Sequence, residues 1–111
     1  HMIELKTSVL LAGATTIGAL LGGAFVTSNR ESGDGRYDIQ LKPTQKGLPG
    51  ILIELKAEKN CSDEKLKKLS ETALQQINDK KYETELTTAG VKTIYKYGVA
   101  FSGKRVEVAV G

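Results

Sequence analysis

The chain has 111 residues, a net charge of +3 and 26% charged residues, which suits one domain, taken as 2–111, and excludes a second core. Its one histidine, in a His1-Met2 pair that reads as the remnant of an expression tag, and its one cysteine exclude an internal disulfide, histidine-based zinc and Ser–His or Cys–His catalysis. The lone Cys61 fits a reducing, cytoplasmic setting, and so mild a positive charge permits contact with nucleic acid without demanding it.

Residues 9–26 (VLLAGATTIGALLGGAFV) carry no charge and nearly reach the length that crosses a bilayer. The Gly18-Ala19-Leu20-Leu21-Gly22 run has the small-xxx-small spacing of membrane helix pairs. Four glycines, two threonines and the lack of a flanking aromatic belt argue against a membrane span. Glu4 and Lys6 cancel, so the basic leader of a signal peptide is missing too. The expected element is a helix over 3–21, buried against a sheet and lined by small residues that allow close approach to that sheet or to a second copy.

Residues 25–31 (FVTSNRE) then read as a strand, followed by a Gly33-Asp34-Gly35 turn and a second strand over 36–42. A loop bounded by Pro43 and Pro49 leads to a third strand over 50–57, apolar enough on both faces to be central. Asn60, Ser62 or Asp63 can cap the next helix. Its apolar spacing, Leu66, Leu69, Ala73, Leu74 and Ile77, predicts one helix to about residue 80 or beyond. Gly90 marks a break, and strands over 92–101 and 104–110 are joined by Ser102-Gly103 as a hairpin. The order is α-β-β-β-α-β-β, a mixed α/β (α+β) domain with helices flanking a small central mixed sheet.

Two strands carry charge where burial is expected. Strand alternation puts Arg36, Asp38 and Gln40 on one face of the second strand, and Glu54 and Lys56 together on one face of the third. Neighbouring strands lie about 4.8 Å apart, so pairing of these two would gather Asp38, Glu54 and Lys56 on one patch. Two carboxylates and an amine are what a Mg²⁺-dependent phosphodiesterase requires. The alternative is an ordinary solvated face with cross-strand ion pairs.

The Gly35-Arg36-Tyr37-Asp38 stretch, the Glu54-Leu55-Lys56 triplet sixteen residues after Asp38, and the element order resemble the PD-(D/E)XK nuclease superfamily. That resemblance implies a restriction-endonuclease-like αβββαβ core with an extra C-terminal strand. Within the superfamily the chain looks closest to the nuclease-like domain at the C-terminus of AAA-ATPase-like proteins, on residues 28–38, Ala73-Leu74-Gln75-Gln76-Ile77, Lys81-Tyr82 and Tyr97-Gly98-Val99-Ala100-Phe101. Thr7 and Ser8 stand where an aromatic–histidine pair is expected, and the ATPase portion is absent from this sequence.

The resemblance implies a Mg²⁺- or Mn²⁺-dependent DNA endonuclease. Asp38, Glu54 and the Leu55 backbone carbonyl would bind the metal, with Glu4 as a third acid, and Lys56 would orient or deprotonate the attacking water. It also places a helical glutamine, Gln76, near DNA or the lysine, although Gln75 and Gln76 equally suit helix surface. Arg36 is placed to contact phosphate or to neutralise Asp38. Lys65, Lys67, Lys68, Lys80 and Lys81 alternate with Glu64, Glu71 and Asp79, as on a solvated helix. Tyr95 and Tyr97 fit core or interface packing better than base stacking. DNA is the expected partner, with a homodimer and an AAA-ATPase-like domain as further ones; the alternative is an inactive nuclease-fold module acting in assembly or nucleic-acid binding.

Overall fold

The computed structural model describes residues 24–31, 36–44, 46–79 and 82–111; the helix expected over 3–21, and Glu4 within it, lie outside the described residues. Five strands form one sheet in the order β1-β2-β3-β4-β5. These are β1 (Ala24–Glu31), β2 (Arg36–Pro43), β3 (Gly50–Ala57), β4 (Ile94–Ser102) and β5 (Arg105–Val110). β1–β2, β2–β3 and β4–β5 are antiparallel, whereas β3 and β4 run parallel. A parallel pair needs a crossover. Here two helices supply it, α1 (Asp63–Asp79) and α2 (Tyr82–Thr88).

α1 begins where its chemistry directs. The Ser62 hydroxyl accepts the Lys65 backbone N–H at 3.2 Å, and Asp63 and Glu64 place negative charge in the first turn. Leu66, Ser70, Ala73 and Ile77 form its buried stripe. The helix expected to about residue 80 or beyond ends as α1 at Asp79, and a second helix, α2, follows from Tyr82. Ile77 and Leu86 both join the core cluster around Leu52 and Val91. At about 100° per residue, nine positions along one helix would put Leu86 on the opposite side from Ile77. Breaking the helix lets both reach the same cluster.

The two sheet faces differ. Ile39, Leu55, Val99 and Phe101 make an apolar layer on one, with Ile53, Ala57 and Tyr97 packed against it. The helices lie on the other. Gly98 shows how closely: an added methyl there would enter the Ser70 carbonyl oxygen and the Leu74 backbone nitrogen of α1. Cys61 and Leu66 pack on Ala100 nearby, and the Arg105 guanidinium joins β5 to the start of α1 through the Asp63 carboxylate and the Cys61 carbonyl.

The hairpin turn is shifted by one residue from the expected Ser102-Gly103. Ser102 pairs with Arg105, so Gly103 and Lys104 form the turn, with Gly103 at φ 61°. A positive φ at the first central position is what a type II′ hairpin needs, and glycine adopts it without strain. Among the described residues, no helix is long and apolar enough to cross a membrane.

Candidate active site

Asp38 and Glu54 stand directly opposite each other on β2 and β3, and Glu54 is level with Gly98 on β4. Cross-strand partners share a face, and the direction of the absent Gly98 side chain is into α1. Both carboxylates therefore lie on the helix-covered face, with side chains about 5 Å apart at their Cβ atoms. Asp38 is 2% exposed and Glu54 0%. That burial overturns the solvated-face alternative for these two residues. Sequence alternation separates the two faces of a strand but cannot say which face a helix will cover.

Burying a carboxylate forfeits its hydration and is tolerated when hydrogen bonds or cations compensate. One compensating bond is well defined: the Tyr82 hydroxyl donates to Asp38 Oδ2 at 3.0 Å. Tyr82 opens α2, and the start of that helix is tied down across β4. The Lys96 ammonium donates to Glu83 Oε2 at 3.1 Å and to Asn78 Oδ1 at 3.3 Å, linking the end of α1 to the beginning of α2. Tyr82 carried no assigned role in the sequence. Its only signal was the Lys81-Tyr82 pair within the resemblance, since a contact spanning 44 positions leaves no local periodicity.

Lys56 sits two residues beyond Glu54 on the same face and is half-buried, level with Arg36 and Ala100. It thus marks the more open end of the acid pair. The Leu55 side chain is fully buried in the opposite layer, which fixes the backbone, its carbonyl included, between Glu54 and Lys56. Arg36 occupies the first paired position of β2.

Gln76 is half-buried on α1, and its Oε1 is a buried acceptor with no hydrogen-bond partner among the described residues. Leu74 reaches toward Gly111 and Lys96 on the β4–β5 side. Two residues on, about 200° around the helix, Gln76 lies on the flank toward β3 and β2. Tyr97 packs in the core layer, as expected, while Tyr95 is exposed.

The donors that the strand pairing brings together are hard and anionic: the two carboxylates of Asp38 and Glu54. Oxygen donors of this kind fit Mg²⁺ or Mn²⁺, which retain waters and need few protein ligands. Among the described residues no group of three or more His, Cys, Asp or Glu side chains gathers at one point, so the acids that these residues bring to the site are Asp38 and Glu54.

A family model of the PD-(D/E)XK nuclease superfamily matches residues 9–110. Among curated proteins and among solved structures there is no significant match. The matched span takes in every strand and both helices described above, together with Asp38, Glu54 and Lys56.

Proposed function

Since the chain belongs to the PD-(D/E)XK nuclease superfamily, we propose that it hydrolyses phosphodiester bonds of DNA, using Mg²⁺ or Mn²⁺ held by Asp38, Glu54 and the Leu55 carbonyl. The observation that carries this reading is the acid pair itself. Two carboxylates at paired strand positions, both withdrawn from solvent, repel each other across a poorly screened gap. A divalent cation held by this pair would relieve that repulsion.

The chemistry the ion supplies when bound is polarisation of the phosphoryl group and acidification of water. The remaining work falls to side chains. Asp38 and Glu54 define the anionic pocket, and α1 and α2 exclude bulk solvent from it. Lys56, at its more open end, orients the attacking water, takes up its proton when deprotonated, and as an ammonium offsets negative charge on the phosphoryl oxygens. Arg36, beside Lys56 in register, supplies a further cation toward the substrate phosphate. Gln76 offers its carbonyl oxygen from above to the lysine or to DNA. Glu4 is a further acid of the same proposal.

The finer kinship is part of the proposal: the domain acts beside an AAA-ATPase-like portion in the reducing cytoplasm, which supplies the substrate choice that so small a surface lacks. Cleavage of plasmid and single-stranded DNA by wild type and by Asp38→Ala, with Mg²⁺, with Mn²⁺ and with chelator, tests the reading. Cleavage that needs both the ion and Asp38 supports it; equal cleavage by the variant contradicts it.

A further inference from the structure

We propose that Tyr82 is a positioning residue for the acid pair, and that Lys96 keeps it in place by tethering the start of α2. The proposal deepens the phosphodiesterase reading and rests on it, because the acid that Tyr82 orients is the one assigned to the ion.

The carboxyl torsion of an aspartate is broad, without sharp staggered wells, so burial alone does not aim its oxygens. The Tyr82 phenol does so by donating to Oδ2 at 3.0 Å, which fixes the plane of the carboxylate relative to Glu54 on the neighbouring strand. A neutral donor suits the task. It stabilises the anion and orients it without contributing a full positive charge that would compete with a metal ion.

The phenol is only as well placed as α2. Seven residues make a helix too short to hold itself, and its position depends on tertiary anchors. Leu86 anchors its far end in the core. Near its start the anchor is Lys96, whose side chain is 21% exposed and whose ammonium bridges Glu83 Oε2 and Asn78 Oδ1. Glu83 is 45% exposed and directly follows Tyr82. So exposed a pair adds little stability, but it has direction: it draws the first turn of α2 toward β4 on the face that carries Glu54 and Gly98. Lys96 lies two residues before Gly98 and level with Leu52. The chain of contacts therefore runs from β4 through Lys96 to α2, and from Tyr82 to Asp38 on β2. It spans the site over the top of β3.

The test measures Mg²⁺ and Mn²⁺ binding by calorimetry, with the thermal midpoint of each variant recorded beside it. Tyr82→Phe keeps the ring and removes only the hydroxyl; it is expected to weaken Mg²⁺ binding about 10-fold, the lower end of what loss of a ligand's hydrogen-bond partner costs, in a protein that still folds. Lys96→Met should act in the same direction and by less. Lys96→Arg should restore wild-type affinity, since a guanidinium can span the same two oxygens. A Tyr82→Phe protein that binds Mg²⁺ as tightly as wild type, while Asp38→Ala does not bind, overturns the positioning role and leaves the metal reading standing. A wild-type protein that binds neither ion overturns the metal reading and the role of Tyr82 with it.

Discussion

Carboxylates without solvent are costly to a small domain, and Asp38 and Glu54 present two of them to each other across one strand pair. In the proposed reaction Lys56, which is half-buried where the acids are buried, would divide the labour with them. Replacing it by methionine should leave Mg²⁺ binding within about threefold of wild type and lower cleavage by about 10²–10⁴-fold, the range for losing a group that moves or orients a proton. Calorimetry and a cleavage time course on the same preparation separate the two effects. Loss of Mg²⁺ binding in Lys56→Met would make the lysine part of the binding pocket instead. At this scale the sequence was legible where strand alternation operates, which is why Asp38, Glu54 and Lys56 could be placed on one face. Tyr82 and the burial of the acids were not legible, because Tyr82 lies 44 positions from Asp38 along the chain and strand alternation does not say which face α1 and α2 will cover.

Elements fit together here through one glycine as much as through the apolar stripe. Gly98 lets α1 settle on β4 level with Glu54, so the helix that shields the acids owes its closeness to a missing side chain. Gly98→Ala would push a methyl into α1 backbone rather than into a flexible side chain. The expected cost is about 1–3 kcal/mol, read as a lower urea midpoint, with weaker metal binding because the lid over the acids is lifted. An unchanged midpoint would mean that α1 packs less closely than described. The strands and the break at Gly90 were readable from local chemistry, and the α1 cap was narrowed to Asn60, Ser62 or Asp63, of which Ser62 makes the bond. The separation of α1 from α2 was not readable: residues 78–85 contain neither Gly nor Pro. Ile77 and Leu86 nevertheless share one cluster, which one continuous helix would not allow.

For the whole molecule, charge and size set what the domain can do alone. On the proposed reading, a net charge of +3 would give a weak, sequence-independent hold on DNA that rests on few phosphates. Affinity for a short duplex should fall between 50 and 200 mM salt with a shallow slope, each phosphate contact contributing roughly −0.9 to the log–log dependence on duplex DNA. A steep slope would instead point to a basic surface larger than the composition provides. The mixed sheet was legible from the order of elements, though not that β3 and β4 are its parallel pair, and the family match over residues 9–110 agrees with the resemblance carried by Gly-Arg-Tyr-Asp and Glu-Leu-Lys. The measurement that bears most directly on the central claim is a Mg²⁺ and Mn²⁺ titration of wild type and Glu54→Ala by calorimetry, followed by DNA cleavage with the same two proteins. The account predicts binding and cleavage in wild type that are lost together in the variant. Wild-type protein that binds neither ion, or a Glu54→Ala protein that cleaves normally, would contradict it.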